Sequence, residues 1–146
     1  MLYSLGAMKN YSFPEHTADL IVEAEGETPE EALEALAEGL FVAMGAGPGR
    51  ARPERAVTVS ASGADRAETA VSLFSEVFWT VYGCGFAPSD ARVISFGEMN
   101  AEMEVRGEDF DPARHELTEV KAATYHEFAC RRTLKGAWRM RVLFDL

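Results

Sequence analysis

Cysteine is scarce in this chain, and basic residues are outnumbered. Only Cys84 and Cys130 occur in 146 residues, in no CxxC or Cys/His ligand spacing, which excludes a disulfide framework and a zinc finger and points to a reducing compartment. Fourteen Lys and Arg stand against 24 Asp and Glu, a net charge of −10. That balance disfavours direct binding to nucleic acid, whose affinity comes from Lys and Arg neutralising phosphates. An acidic surface suits a basic partner or a divalent cation, and equally serves solubility alone. No apolar run approaches the roughly 20 residues that span a bilayer; the most aromatic stretch, 71–86, is broken by Ser72, Ser75, Glu76 and Gly83. The amino end has no basic region ahead of an apolar one, so it does not read as a signal peptide. The expectation is a soluble, cytoplasmic protein with no membrane partner. The motifs GxGxxG, GxxxxGK[ST], GxSxG, HExxH and the EF-hand loop are all missing, which removes the common enzyme signatures.

What is present fits one domain over residues 1–146, with residues 1–10 as a loose amino-terminal extension. Apolar residues make up 47% and charged residues 26%, and a chain of this size buries roughly 68–70% of its unfolded surface without a staple. Residues 20–24 read as a buried strand. Thr28, Pro29 and Glu31 then form a capping box that opens a helix, with Leu33, Leu36, Ala37, Leu40, Phe41 and Met44 at helical spacing and a glycine cluster at 45–49 to stop it. A second strand, 57–61, leads to a helix capped by Asp65, whose apolar face runs from Ala70 to Tyr82 and which closes at Gly83 and Gly85. From 92 onward the period changes to two: a hairpin of 93–96 and 99–105 around Gly97 and Glu98, a polar loop over 107–118, a strand over 119–131, and a last strand over 138–144 after a Lys135-Gly136 turn. Helices grouped early and antiparallel strands grouped late give an α+β sandwich of two helices on a mainly antiparallel sheet.

Three polar clusters carry the chemistry. Glu15, His16 and Asp19 precede the first predicted strand, where a carboxylate ligates a hard cation through oxygen and a histidine orients it or moves a proton; an ordinary Asx turn accounts for the same residues. On the strand at 119–126, alternation puts Lys121 with Tyr125 and puts His126 with Val120, Ala122 and Thr124 on the apolar face. His126 therefore reads as a hydrogen-bonded core histidine or a general base, and Lys121 as a snorkelling surface charge or a compact cation for an anion. At the carboxyl end, Asp145 and the carboxylate of Leu146 lie one residue apart. If the first and last strands meet, they join Asp19 in an oxygen-rich site for Ca²⁺ or Mg²⁺; a frayed, solvated terminus is the plain alternative.

Taken together, Phe13-Pro-Glu15-His16-Thr17-Ala18-Asp19, the Thr28-Pro-Glu-Glu-Ala32 helix start, Asp111-Pro-Ala-Arg-His115-Glu, Glu119-Val-Lys121-Ala-Ala-Thr-Tyr125-His126 and the closing Phe144-Asp145-Leu146 resemble the archease family over nearly the whole domain. The resemblance implies an accessory protein, not an enzyme: an activator of the GTP-dependent RNA-splicing ligase that promotes the ligase's guanylylation and multiple turnover in tRNA splicing or RNA repair, touching RNA only through the ligase. It implies one Ca²⁺ or Mg²⁺ held by Asp19, Asp145 and the backbone or terminal oxygens of Leu146. Lys121 matches the family's lysine, and Glu76 keeps an acidic position in the second helix. His16, Glu76, Lys121 and His126 are the remaining partner candidates. A stand-alone metal-dependent phosphohydrolase using His16 or His126 as base, and a chaperone-like binding module, are the competing readings.

Overall fold

The computed structural model describes residues 2–4, 9–13 and 19–146. Among the described residues the order is β1 (Leu2–Ser4), β2 (Asn10–Ser12), β3 (Asp19–Gly26), α1 (Pro29–Ala43), β4 (Arg55–Ser62), α2 (Arg66–Phe78), a π-helical turn (Trp79–Gly83), β5 (Phe86–Phe96), β6 (Asn100–Asp109), β7 (Ala122–Arg132) and β8 (Trp138–Asp145). The strands form two antiparallel sheets, one in the order β1-β2-β3-β8-β7 and the other β4-β6-β5. The fold is α+β as expected, with two sheets in place of one. β1 falls inside the stretch expected as an extension and pairs with β2. No helix among the described residues is long and apolar enough to cross a membrane.

Both helices begin as their sequences dictate. Thr28 accepts from the Glu31 N–H at 3.1 Å while the Glu31 carboxylate accepts from Glu27 N–H at 2.7 Å. Asp65 and Glu68 repeat the exchange at 2.8 and 2.9 Å. At the far end of α1, Gly45 takes φ 89°, and the N–H groups of Gly45 and Ala46 reach Val42 and Phe41 carbonyls at 3.0 and 2.9 Å. This Schellman arrangement satisfies orphan carbonyls and needs the left-handed conformation that glycine adopts without strain.

α1 packs against β3 and β8 of the larger sheet and against β5 of the smaller; α2 packs against β7 of the larger and β4 of the smaller. A helix wedged between two sheets must be apolar on most of its circumference, and α1 buries Ala32, Leu33, Ala35, Leu36, Ala37, Leu40 and Phe41. Phe74 and Phe78 of α2 meet Phe144 of β8 edge to face, with centroids 5.2 and 6.1 Å apart. The last strand is thereby locked into the same core as the helices.

Two elements depart from the periodicity. β5 begins at Phe86, seven residues before the expected strand, because Pro88 sits on an edge strand beside a register shift between Pro88 and Asp90; an edge bulge is where a strand tolerates the missing N–H. In β7, Thr124 pairs with Leu143 but Ala129 with Arg141: five steps along β7 match two along β8, so three extra residues arch out of the ladder, with Glu127 at φ 60°. Asp65→Ala is expected to lower unfolding free energy by about 1 kcal/mol, with Asp65→Asn retaining most of it; a urea titration followed by circular dichroism reads the difference.

Candidate functional site

Pairing of β3 with β8 is continuous from Asp19↔Asp145 to Gly26↔Trp138. Antiparallel register partners share a face, with Cβ atoms about 4.5–5.5 Å apart. Leu20 and Phe144 point toward the helices, so Asp19 and Asp145 lie on the opposite face, beyond the buried pair Ile21 and Leu143. Further along this face, Arg141 reaches Glu23 at 2.5 Å and Glu127 at 3.6 Å, and Arg139 reaches Glu25 at 3.6 Å. Those carboxylates have cations as cross-strand neighbours. Asp145 instead has Asp19 opposite it on one side and Ala122 on the other.

Two carboxylates opposed across a ladder offer a pair of oxygen donors on one face. Among the described residues no group of three or more His, Cys, Asp or Glu side chains gathers as a metal cage. A hard ion here would take two carboxylates and fill its shell with backbone carbonyls, Leu146 oxygens and water, a donor set that suits Mg²⁺ or Ca²⁺. The residues therefore fit the expected group.

Lys121 comes to the same end of the sheet: its N–H donates to the Asp145 carbonyl at 2.8 Å. Ala123, opposite Phe144, is in the core, so Ala122 and Thr124 take the aspartate face, and Lys121 lines a cavity on the other side with Val81, Tyr82, Phe110 and Leu117. Val120 is buried and Lys121 exposed as predicted, but from Ala122 onward the parity is reversed, because the strand begins only at Ala122. His126, expected among apolar neighbours, is exposed within the arch of 125–128, because three extra residues break the alternation on which that expectation rested. Glu76 is exposed on α2. Glu15 and His16 lie outside the described residues.

Sequence patterning passed over the buried cluster around Glu108. Arg114 grips its carboxylate with two bonds of 2.6 and 3.0 Å, the Arg52 N–H adds one at 2.7 Å, and His115 Nε2 lies 3.1 Å away. The Asp111 N–H donates to His115 Nδ1 at 2.9 Å, which leaves Nε2 to carry the proton toward Glu108. The Arg114 pair, then the Arg52 amide, hold the Glu108 carboxyl down to about 2. A signal existed in Asp111-Pro-Ala-Arg-His115, but only the fold shows its target.

This cluster fixes the chain that leads to Lys121. Downstream, the Thr118 N–H donates to Met44 O at 2.8 Å, and the Tyr82 hydroxyl donates to Thr118 O and accepts from Val120 N–H, both at 2.8 Å. Burial pushes the Tyr82 phenol up. The π-helical turn places Tyr82 for this double contact, and a Cβ at Gly83 would come 2.5 Å from the Trp79 ring and displace it.

Because the Glu108 carboxyl is depressed from 4.5 to about 2, its stabilisation is fully present above pH 4.5 and is lost as pH falls toward 2. Acid unfolding of the parent is expected to steepen across that window. Glu108→Gln, less stable at neutral pH, should show a flatter dependence there in denaturant titrations.

Comparison with known proteins agrees with this architecture. The profile of the Archease protein family matches residues 11–146. The chain is 34% identical to the protein archease of Aeropyrum pernix, with 90% of this chain and 94% of that protein aligned. It is 28% identical to the protein archease of Pyrococcus furiosus, over 95% of this chain and all of that one. The solution structure of a Methanobacterium thermoautotrophicum protein shares the fold with a TM-score of 0.67 at 22% identity, over 93% of this chain and 98% of that one. With the family profile spanning both Asp19 and Asp145 and relatives aligned over nearly their full length, this chain belongs to the archease family.

Proposed function

We infer that this protein is an accessory factor of a GTP-dependent RNA-splicing ligase and promotes formation of the ligase's covalent guanylate, with one Ca²⁺ or Mg²⁺ at Asp19, Asp145 and Leu146. The observation that carries the reading is the register pair Asp19↔Asp145 with the Lys121 N–H on the Asp145 carbonyl, in a chain that belongs to the archease family. A bound cation supplies charge neutralisation and joins the ends of β3 and β8.

The chain's own residues do the rest. Asp19 and Asp145 present carboxylates on one face, and the Asp145 carbonyl holds the entry to β7 through Lys121. Tyr82 holds residues 118 and 120 from the other side. The Lys121 ammonium is thereby offered from a fixed stretch of backbone as a point charge. A net charge of −10 draws the protein toward the basic nucleotide- and RNA-binding face that such a ligase requires, raising the rate of encounter. Activation then follows from tighter binding to the guanylylation-competent state than to the resting state.

Asp145→Ala is expected to abolish Ca²⁺ or Mg²⁺ binding in calorimetry and to reduce stimulation of ligase guanylylation, followed with labelled GTP, by at least tenfold; full stimulation after loss of the ion would contradict the reading. A tag fused after Leu146 should weaken cation binding by displacing its terminal oxygens, whereas one fused before Met1 should leave it intact.

A further inference from the structure

Among the described residues the two sheets end on β1 and β7 in the larger and on β4 and β5 in the smaller. An exposed edge presents a row of unpaired N–H and C=O groups, which folds blunt by shortness, proline, bulges or charge. Three of these edges are blunted. β1 is three residues long. The β7 ladder is broken by its arch and ends in Arg131 and Arg132. β5 has Pro88 and two register shifts, and its outward groups are taken: Gly47 N–H donates to Pro88 O and Val93 N–H to Glu34 Oε1, both at 2.9 Å.

β4 has none of these protections. It runs eight residues in unbroken register with β6 and packs on α2, and among the described residues it pairs with no other strand. Gly63 N–H donates to Met99 O at 3.0 Å, one step beyond the pair Ser62↔Asn100. Bonding alternates along an antiparallel ladder, so Val57, Val59 and Ala61 bond to β6, while Ala56, Thr58, Ser60 and Ser62 turn N–H and C=O outward. Those same four are exposed, and none is charged.

The strand is close to a palindrome about Val59. Laid antiparallel against itself, it sets Thr58 opposite Ser60 and Ala56 opposite Ser62 on the outer face, and Val57 opposite Ala61 on the inner. Every outward N–H then meets an outward C=O, about eight bonds in all. Hydroxyls oppose hydroxyls, a favourable cross-strand pair. Val57 and Ala61, half-buried against the core, gain cover that the single chain does not give them. The net charge of −10 is not focused here. On the outer face, Glu104 of one copy and Glu102 of the other stand three strand spacings apart across the junction, about 14 Å, which exceeds the screening length of about 8 Å at physiological salt.

We propose that the β4 edge pairs with the β4 edge of a second copy about a twofold axis at Val59, joining two three-stranded sheets into one. Symmetry selects this occupant: an isologous contact needs a strand that matches its own reverse, which a foreign segment would not require. The pairing uses no residue of the cation site and is independent of the accessory reading.

Sedimentation equilibrium of the full chain at about 100 μM and physiological salt should give the mass of two chains, falling toward one on dilution. Amide hydrogen exchange at Thr58 and Ser60 should slow at least tenfold from dilute to concentrated protein. Ser60→Pro removes an outward N–H and no bond to β6, and Thr58→Lys sets two like charges diagonally across the axis. Each should weaken the dimer at least tenfold with circular dichroism unchanged; if Ser60→Pro does not fold, Thr58→Lys decides. A parent that stays monomeric at this concentration, a dimer that survives in folded Thr58→Lys, or Thr58 and Ser60 amides that exchange equally fast at both concentrations would each overturn the proposal.

Discussion

The structure depends on one pairing, that of β3 with β8. It joins residues 19–26 to residues 138–145 in unbroken register, so the closing contact of the larger sheet is also its longest loop in sequence. Such a contact forms only when the intervening elements are in place, since loop-closure entropy must be overcome by the burial that accompanies it. Here the burial is supplied by α1 and α2, which touch both sheets, and by Phe144 seated against Phe74 and Phe78. The opposition of two aspartates at the end of that ladder is a consequence of the same register: a slip by one residue would turn Asp145 toward the helices and Phe144 toward water.

Local chemistry was legible in the sequence wherever a short-range rule applies. The two helix starts, the glycine stop after α1, the β5–β6 hairpin and the turn at Gly136 all follow from residues within four positions of one another. The juxtaposition of Asp19 with Asp145 was reached only as a conditional on two strands meeting. Nothing in local patterning makes them meet; the condition holds because the apolar faces of both strands compete for the same helices.

The failures have physical causes of their own. Period-two alternation assumes an uninterrupted ladder, and β7 breaks it with three extra residues, so His126 emerges into solvent and Glu127 takes a left-handed conformation. β5 starts seven residues ahead of the expected strand and accommodates Pro88 because it lies at the sheet edge. The Glu108 cluster was passed over although Glu108, Arg114 and His115 lie within seven residues of one another, because an irregular loop has no period to place their side chains together, and Arg52 joins from 56 residues away through its backbone N–H. That cluster and Tyr82 together turn residues 110–121 from a loop into a braced wall. They separate two faces of one strand entry, with the aspartates on one side of β7 and the apolar cavity on the other.

If Asp19 and Asp145 form one ligand set, the ladder that holds them opposite each other makes their contributions to cation affinity inseparable. A double-mutant cycle on Ca²⁺ affinity, with Asp19→Asn, Asp145→Asn and the pair measured by calorimetry on proteins shown to be folded, tests it most directly. Each single substitution should remove nearly all of the affinity, at least tenfold, and the double should lose little more. Small and additive losses, or one aspartate dispensable while the other is not, would contradict it.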